Sequence, residues 1–108
     1  MGNRKNKTKL GLILRCIRIA QEKSVKDVAL GMDMAPAYIC DIEQGRKNPS
    51  LAKLKEFAKY FEFPASKIIE IEEKAKEEDL QYPKVLLLCV EYECMKNKNN
   101  NLEEGLSK

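Results

Sequence analysis

Histidine and tryptophan are both missing from this 108-residue chain. Without histidine there is no imidazole general base, no histidine metal ligand, and no Ser–His or Cys–His pair. Much of enzymology is excluded at once, and no catalysis is expected. Long apolar runs are missing too: nothing approaches the roughly 20 residues that span a bilayer, so no membrane partner is expected. The first residues offer no secretory core, since the apolar stretch Leu10–Leu14 is five residues long and is followed by Arg15 and Arg18. A Met1-Gly2 start would suit N-myristoylation, but the hydroxyl residue wanted at position 6 is Asn6. Five Gly and four Pro are too few for a fibrous or low-complexity chain. The four cysteines are therefore expected to be reduced thiols of a cytoplasmic protein, not a disulfide framework.

What is present is 44% apolar and 34% charged, the composition of a soluble globular domain. The length suits one domain plus an appendage. The net charge of +3 is unevenly placed. Residues 1–63 hold 13 Lys/Arg against 7 Asp/Glu, and residues 64–108 hold 7 Lys against 10 Asp/Glu, giving +6 and −3. Contact with a polyanion belongs to the front part. Cys89 and Cys94 have four residues between them, but Cys16 and Cys40 lie far off and no histidine completes a tetrahedral set, so neither metal nor cofactor is expected. Cys16 and Cys89 read as small core hydrophobes.

Along the chain, residues 1–9 (MGNRKNKTK) form a polar, basic arm expected to be flexible. Residues 10–71 read as five short helices. Leu10, Ile13, Leu14, Ile17 and Ala20 keep the helical period of a buried face. Ser24 with Asp27 three residues on has the form of a capping box opening a second helix, whose inner face is Val28, Ala29 and Met32. Gly31 and Asp33 mark a tight turn. Pro36 suits the first position of a third helix, which puts Ile39 and Ile42 inside and stops at Gly45. Ser50 caps a fourth helix with Leu51, Leu54, Phe57, Ala58 and Phe61 inward. A fifth starts at Pro64 or Ser66, with Ile68 and Ile69 continuing it.

Residues 72–96 read as a charged stem followed by an apolar segment. The pairs Glu70–Lys74 and Glu72–Lys76, spaced i,i+4, favour an exposed helical stem. Tyr82-Pro83 breaks it. Val85–Met95 is the most apolar stretch, and a helix starting at Pro83 sets Leu86, Leu87, Val90 and Cys94 on one face. Alternation of Leu88, Val90, Tyr92 and Cys94 suits a strand as well, with helix preferred. Residues 97–108 are a polar tail expected to fray.

Two short helices joined by a tight turn inside an all-helical domain are the helix-turn-helix arrangement. The run Leu14–Ser50, with Arg18, Ser24, Val28-Ala29, Ile39, Ile42-Glu43, Gly45 and Asn48-Pro49-Ser50 in order, resembles the lambda-repressor-like (Cro/XRE) helix-turn-helix family. The resemblance extends over about Leu10–Ile71, some three-fifths of the chain. It implies an all-α fold: a five-helix globule whose third helix enters the major groove of double-stranded DNA. It also implies a pair between Arg18 and Glu43, because a partly buried carboxylate needs a cation.

With Ile39 and Ile42 facing inward, the opposite face of the third helix carries Pro36, Ala37, Cys40, Asp41 and Gln44, with Tyr38 at its edge. The family's equivalents of Pro36, Ala37 and Asp41 reach base edges. Pro and Ala can offer only apolar contact, and Asp41 either accepts from cytosine or pairs with Arg46 or Lys47, so shape readout gains weight. Oxidation of Cys40 would alter this surface. Arg46, Lys47 and Asn48 stand where the family grips phosphate, and Ser24, Lys26 and Arg15 add to that expectation. Val25 stands where the family usually has a phosphate-clamping Gln, and its side chain cannot form that hydrogen bond.

The segment Val85–Met95 is expected to be surplus to a five-helix core and to act as a dimerisation extension through Leu86, Leu87, Val90 and Cys94. Expected partners are therefore DNA and a second copy of the chain. A protein partner at the C-terminal segment, as in an antitoxin or adaptor, is the alternative to a homodimeric repressor.

Overall fold

A computed structural model describes residues 8–106, with side chains through Asn97. Most of the basic arm and the side chains of the polar tail lie outside the described residues. Among the described residues six helices follow one another: α1 (Leu10–Ala20), α2 (Val25–Met32), α3 (Pro36–Glu43), α4 (Leu51–Phe61), α5 (Ala65–Glu77) and α6 (Tyr82–Leu106). No strand occurs among the described residues. The fold is all-α.

The helix ends have local causes. The Ser24 hydroxyl accepts from the Asp27 N–H at 3.0 Å, and the Asp27 carboxylate accepts from the Ser24 N–H at 2.9 Å, the complete capping box. The Ser24 N–H, donating to it, is the main reason the Asp27 carboxyl is held below the usual carboxylate range. Pro36 takes the first position of α3, where its missing N–H costs nothing. Ser50 caps α4 by accepting from the Lys53 N–H. Gly45, at φ 79°, ends α3 in the left-handed conformation that glycine adopts without strain.

One hydrophobic core runs through all six helices. Ile13, Leu14, Cys16 and Ile17 of α1 sit at its centre among Val28, Ile39, Ile42, Leu54, Phe57, Phe61, Phe63 and Ile68. One apolar position expected inside is not: Leu51, at the very start of α4, is 62% exposed. On α5, Ile68 and Ile71 face in and Ile69 lies on the outer side. The expected ion pairs on α5 are also replaced. Lys67 pairs with Glu70 (2.9 Å) and Lys74 with Glu78 (3.7 Å). Glu72 turns instead to the start of α1, accepting from the Thr8 hydroxyl and from the Lys9 N–H at 3.1 Å.

The largest departure from expectation is at the C-terminal segment. It is helical, and α1 packs against α6 more extensively than any other two helices do among the described residues. Val85 and Cys89 are fully buried in the common core, with Leu86, Leu88 and Tyr92 leaning on it. Further along, Phe63 and Tyr92 rings meet at 4.6 Å between centroids, the Gln21 amide bridges the Phe61 carbonyl and Glu93 at 2.7 Å each, and the Lys96 ammonium donates to the Glu62 carbonyl. The segment is thus not an appendage on a stem. Ile71 and Ala75 are likewise buried, so α5 crosses the expected domain edge at residue 71 without interruption. The α6 backbone continues through Leu106, so residues expected to fray begin inside a helix.

Candidate nucleic-acid interface

Three contacts fix where α3 stands. Ile39 and Ile42 anchor it in the core. On its inner side it meets α1 backbone to backbone: a Cβ built on Gly11 would lie 2.0 Å from the Ile42 carbonyl oxygen. At its C-terminal end the Glu43 carboxylate is gripped bidentately by one edge of the Arg18 guanidinium, Nε to Oε2 at 2.7 Å and Nη2 to Oε1 at 3.0 Å. Arg18 Nη1 also donates to the Lys23 carbonyl at 2.8 Å, so the α1–α2 turn joins the same knot. The side chains are 13% and 7% exposed, and the Glu43 hydrogen bond is the main reason the Arg18 pKa is raised further. Gly11 and the Lys23 carbonyl escape a reading by motif. Gly11 has a signal, a lone glycine inside an apolar helix; a backbone carbonyl has none.

The turn before α3 spans Asp33 to Ala35. Asp33 closes α2 at φ 56°, and the Met34 N–H donates to the Ala29 carbonyl at 2.9 Å. A short polar residue tolerates that left-handed conformation better than a branched one. The helix-turn-helix geometry follows from these few residues.

Facing away from the core, Pro36, Ala37 and Gln44 are exposed, Cys40 and Asp41 are partly exposed, and Tyr38 leans half-buried against the core. The chain leaves α3 by a full Schellman turn: the Gly45 N–H returns to Ile42 O at 3.1 Å and the Arg46 N–H to Asp41 O at 2.8 Å. That reversal lays Arg46 back over the helix. Its Nε and Nη2 both lie 2.8 Å from Asp41 Oδ1, and its Nη1 donates to the Gln44 side chain. Lys47 approaches Asp41 Oδ2 at 3.9 Å with its ammonium 5.5 Å from the Tyr38 ring centre. Of the two fates open to Asp41, the free chain takes the pairing with Arg46 and Lys47.

The remaining expected contacts lie apart. Asn48 is exposed beyond Lys47, and Ser24 and Lys26 are exposed at the start of α2. The Ser24 oxygen is taken as a cap acceptor, which leaves its own proton free to donate. Arg15 is exposed on α1 and stacks on Tyr82 at 5.1 Å, towards the start of α6. On α6, Leu87, Val90 and Cys94 face solvent, whereas Leu86 packs half-buried against its own chain. Cys16 and Cys89 are buried free thiols, each pushed up to about 12 chiefly by burial.

The helix-turn-helix family pattern matches residues 14–68, just over half of the chain. The chain belongs to the Cro/C1-type helix-turn-helix family. As a Cro/C1-type protein it falls among DNA-binding regulators. No curated protein and no solved structure matches it. None of this protein's described helices is long and apolar enough to cross a membrane.

Proposed function

We propose that the protein is a sequence-specific transcriptional regulator, a repressor that binds an inverted-repeat operator as a homodimer and acts by occupancy. The observation that carries this reading is the exposed outer face of α3, held rigidly by Gly11 and the Arg18–Glu43 pair in a Cro/C1-type domain. A helix that must report base identity has to be fixed in register, and contacts of this kind supply that.

In this reading α3 enters the major groove. Pro36 and Ala37 offer apolar contact to thymine methyl groups, and Tyr38 and Gln44 supply hydrogen bonds. Lys47, Asn48, Lys26, the Ser24 hydroxyl and Arg15 neutralise or bind phosphates, which position the protein without reading sequence. Val25 cannot join them through its side chain. The protein works in the cytoplasm and performs no catalysis.

Dimerisation is assigned to the outer stripe of α6. Leu87 and Val90 are 56% and 37% exposed, and Cys94 continues their line at i, i+3 and i+7. An apolar stripe on a helix already anchored by its opposite side suits an isologous contact with a second copy. Two recognition helices would then stand about 34 Å apart, one turn of B-DNA.

The test is binding to random-sequence duplex across a salt series, followed by selection of bound sites from a random duplex library. Affinity that falls steeply with salt, and selected sites with two-fold symmetry, support the reading. Salt-independent or absent binding overturns it.

A further inference from the structure

We propose that Arg46 is a base-reading residue, a guanine reader held in place by Asp41 and Gln44. This rests on the DNA-binding reading above and adds a guanine-specific donor pair to the outer face of α3.

Ala37, Asp41 and Gln44 are spaced i, i+4 and i+7, one stripe along the exposed side of α3. A stripe of this composition reads bases poorly, because Ala37 has no polar atom and Asp41 can only accept. The Schellman turn at Gly45 changes what the stripe presents. By bonding the Arg46 N–H to Asp41's own carbonyl, it brings the Arg46 side chain back over the stripe instead of out towards solvent. The guanidinium is anchored at Asp41 through Nε and Nη2 and at Gln44 through Nη1.

A guanidinium has five N–H groups. Asp41 takes the one on Nε and stands 2.8 Å from Nη2, and Gln44 takes one on Nη1. At least one N–H is left on each terminal nitrogen, a two-pronged donor on a side chain that is 57% exposed. The major-groove edge of guanine presents the matching acceptor pair, O6 and N7. Two partners hold the side chain in one geometry before DNA arrives, which lowers the entropy lost on binding. The Asp41 carboxylate, which would repel phosphate if bare, becomes part of a group of net charge +1 with Arg46 and Lys47.

The same donor pair would also fit a phosphate, and the experiment separates the two. Sites selected by the full-length protein are compared with copies in which each guanine is changed to adenine, for wild type, Arg46→Ala and Asp41→Asn. In wild type, one guanine per half-site is expected to be worth about 5- to 150-fold in affinity. Arg46→Ala should bring that ratio close to one while random duplex is still bound. Asp41→Asn should lower the ratio without weakening binding to random duplex, and with the ratio already near one in Arg46→Ala this makes Asp41 a positioning residue that acts through Arg46. Both positions are at the surface, and an unchanged melting temperature confirms that the variants fold. A uniform loss for Arg46→Ala on all duplexes, with the guanine ratio intact, makes Arg46 a phosphate anchor and overturns the proposal. Selected half-sites that contain no required guanine overturn it as well and leave the DNA-binding reading standing. Wild type without salt-dependent duplex binding overturns both.

Discussion

Gly11 on α1 and the carbonyl oxygen of Ile42 on α3 are in such close approach that a Cβ at position 11 would stand 2.0 Å from that oxygen. The obstacle is backbone, which cannot swing aside as a side chain can. Gly11→Ala should therefore push α3 off α1. Overpacking of this kind costs roughly 1–3 kcal/mol, against about 1 kcal/mol regained from alanine's better helix propensity. A net loss of stability is expected, with DNA affinity falling further than stability does. Thermal melting and duplex titration measure the two, and an alanine variant as stable and as tight-binding as wild type would show that the helices tolerate separation.

Glu43→Ala leaves the Arg18 guanidinium mostly buried without its carboxylate. Breaking one side of a buried pair costs about 3 kcal/mol, most of it from the charge left behind. For a domain of this size that should lower the melting temperature by well over ten degrees. A melting temperature within a degree of wild type would mean the pair carries no weight in the fold.

Much of this was legible from residue order alone. Ser24–Asp27, Pro36, Gly45 and Ser50 announce helix ends because each acts through its own backbone neighbourhood, within three or four residues. What is not local is not announced. Val85–Val90 (VLLLCV) is apolar on every side, so its period cannot say which stripe meets α1, and Val85 with Cys89 turn inward while Leu87 and Val90 do not. Leu51 carries the right residue type but projects from the first turn of α4 beyond the core's reach. At the candidate site, the outer face of α3 follows from Ile39 and Ile42 by periodicity. That Arg46 returns to that face depends on a left-handed turn and two side-chain partners, none of which a spacing rule contains.

The buried thiols make the fold sensitive to alkali. Cys16 and Cys89 are raised from the usual 9.0 to about 12 in the folded chain, so the folded state holds protons that the unfolded state releases. Stability is then complete below about pH 9 and is lost progressively as pH rises towards 12. Replacing both with alanine or valine should flatten that part of the stability profile. At pH 8, a thiol reagent should label exposed Cys94 and partly exposed Cys40 quickly, and Cys16 and Cys89 only on unfolding. Four equally fast thiols would contradict the packing of α6 on α1.

Phosphate binding through Lys26 and Lys47 predicts an effect without selectivity. The double change Lys26→Ala and Lys47→Ala should weaken binding to every duplex by a similar factor. It should also reduce the salt slope by about 1.8, roughly 0.9 for each phosphate no longer neutralised. A changed preference among sequences would instead assign one of these lysines to base readout.

Dimerisation through α6 can be tested without disturbing the core, because the helix has two separable stripes. Removing everything after Asp79 would be the wrong experiment: it strips Val85 and Cys89 from the core and uncovers the side of α1 on which α6 packs. Replacing Leu87 and Val90 with aspartate touches only the outer stripe, so folding should change by about 0.5 kcal/mol or less per site. Val85→Asp is the contrasting variant, since an unpaired carboxylate in the core should unfold the chain. If the stripe joins two copies, wild type should be dimeric by light scattering at roughly micromolar concentration and Leu87→Asp/Val90→Asp monomeric with unchanged helix content. Affinity for a full inverted repeat should drop to that for a half-site, because the second recognition helix no longer arrives tethered to the first. A folded variant that remains dimeric would move the interface to another surface. A wild type that is monomeric at this concentration would take the homodimer away from the proposed mechanism and leave the stripe to a different protein.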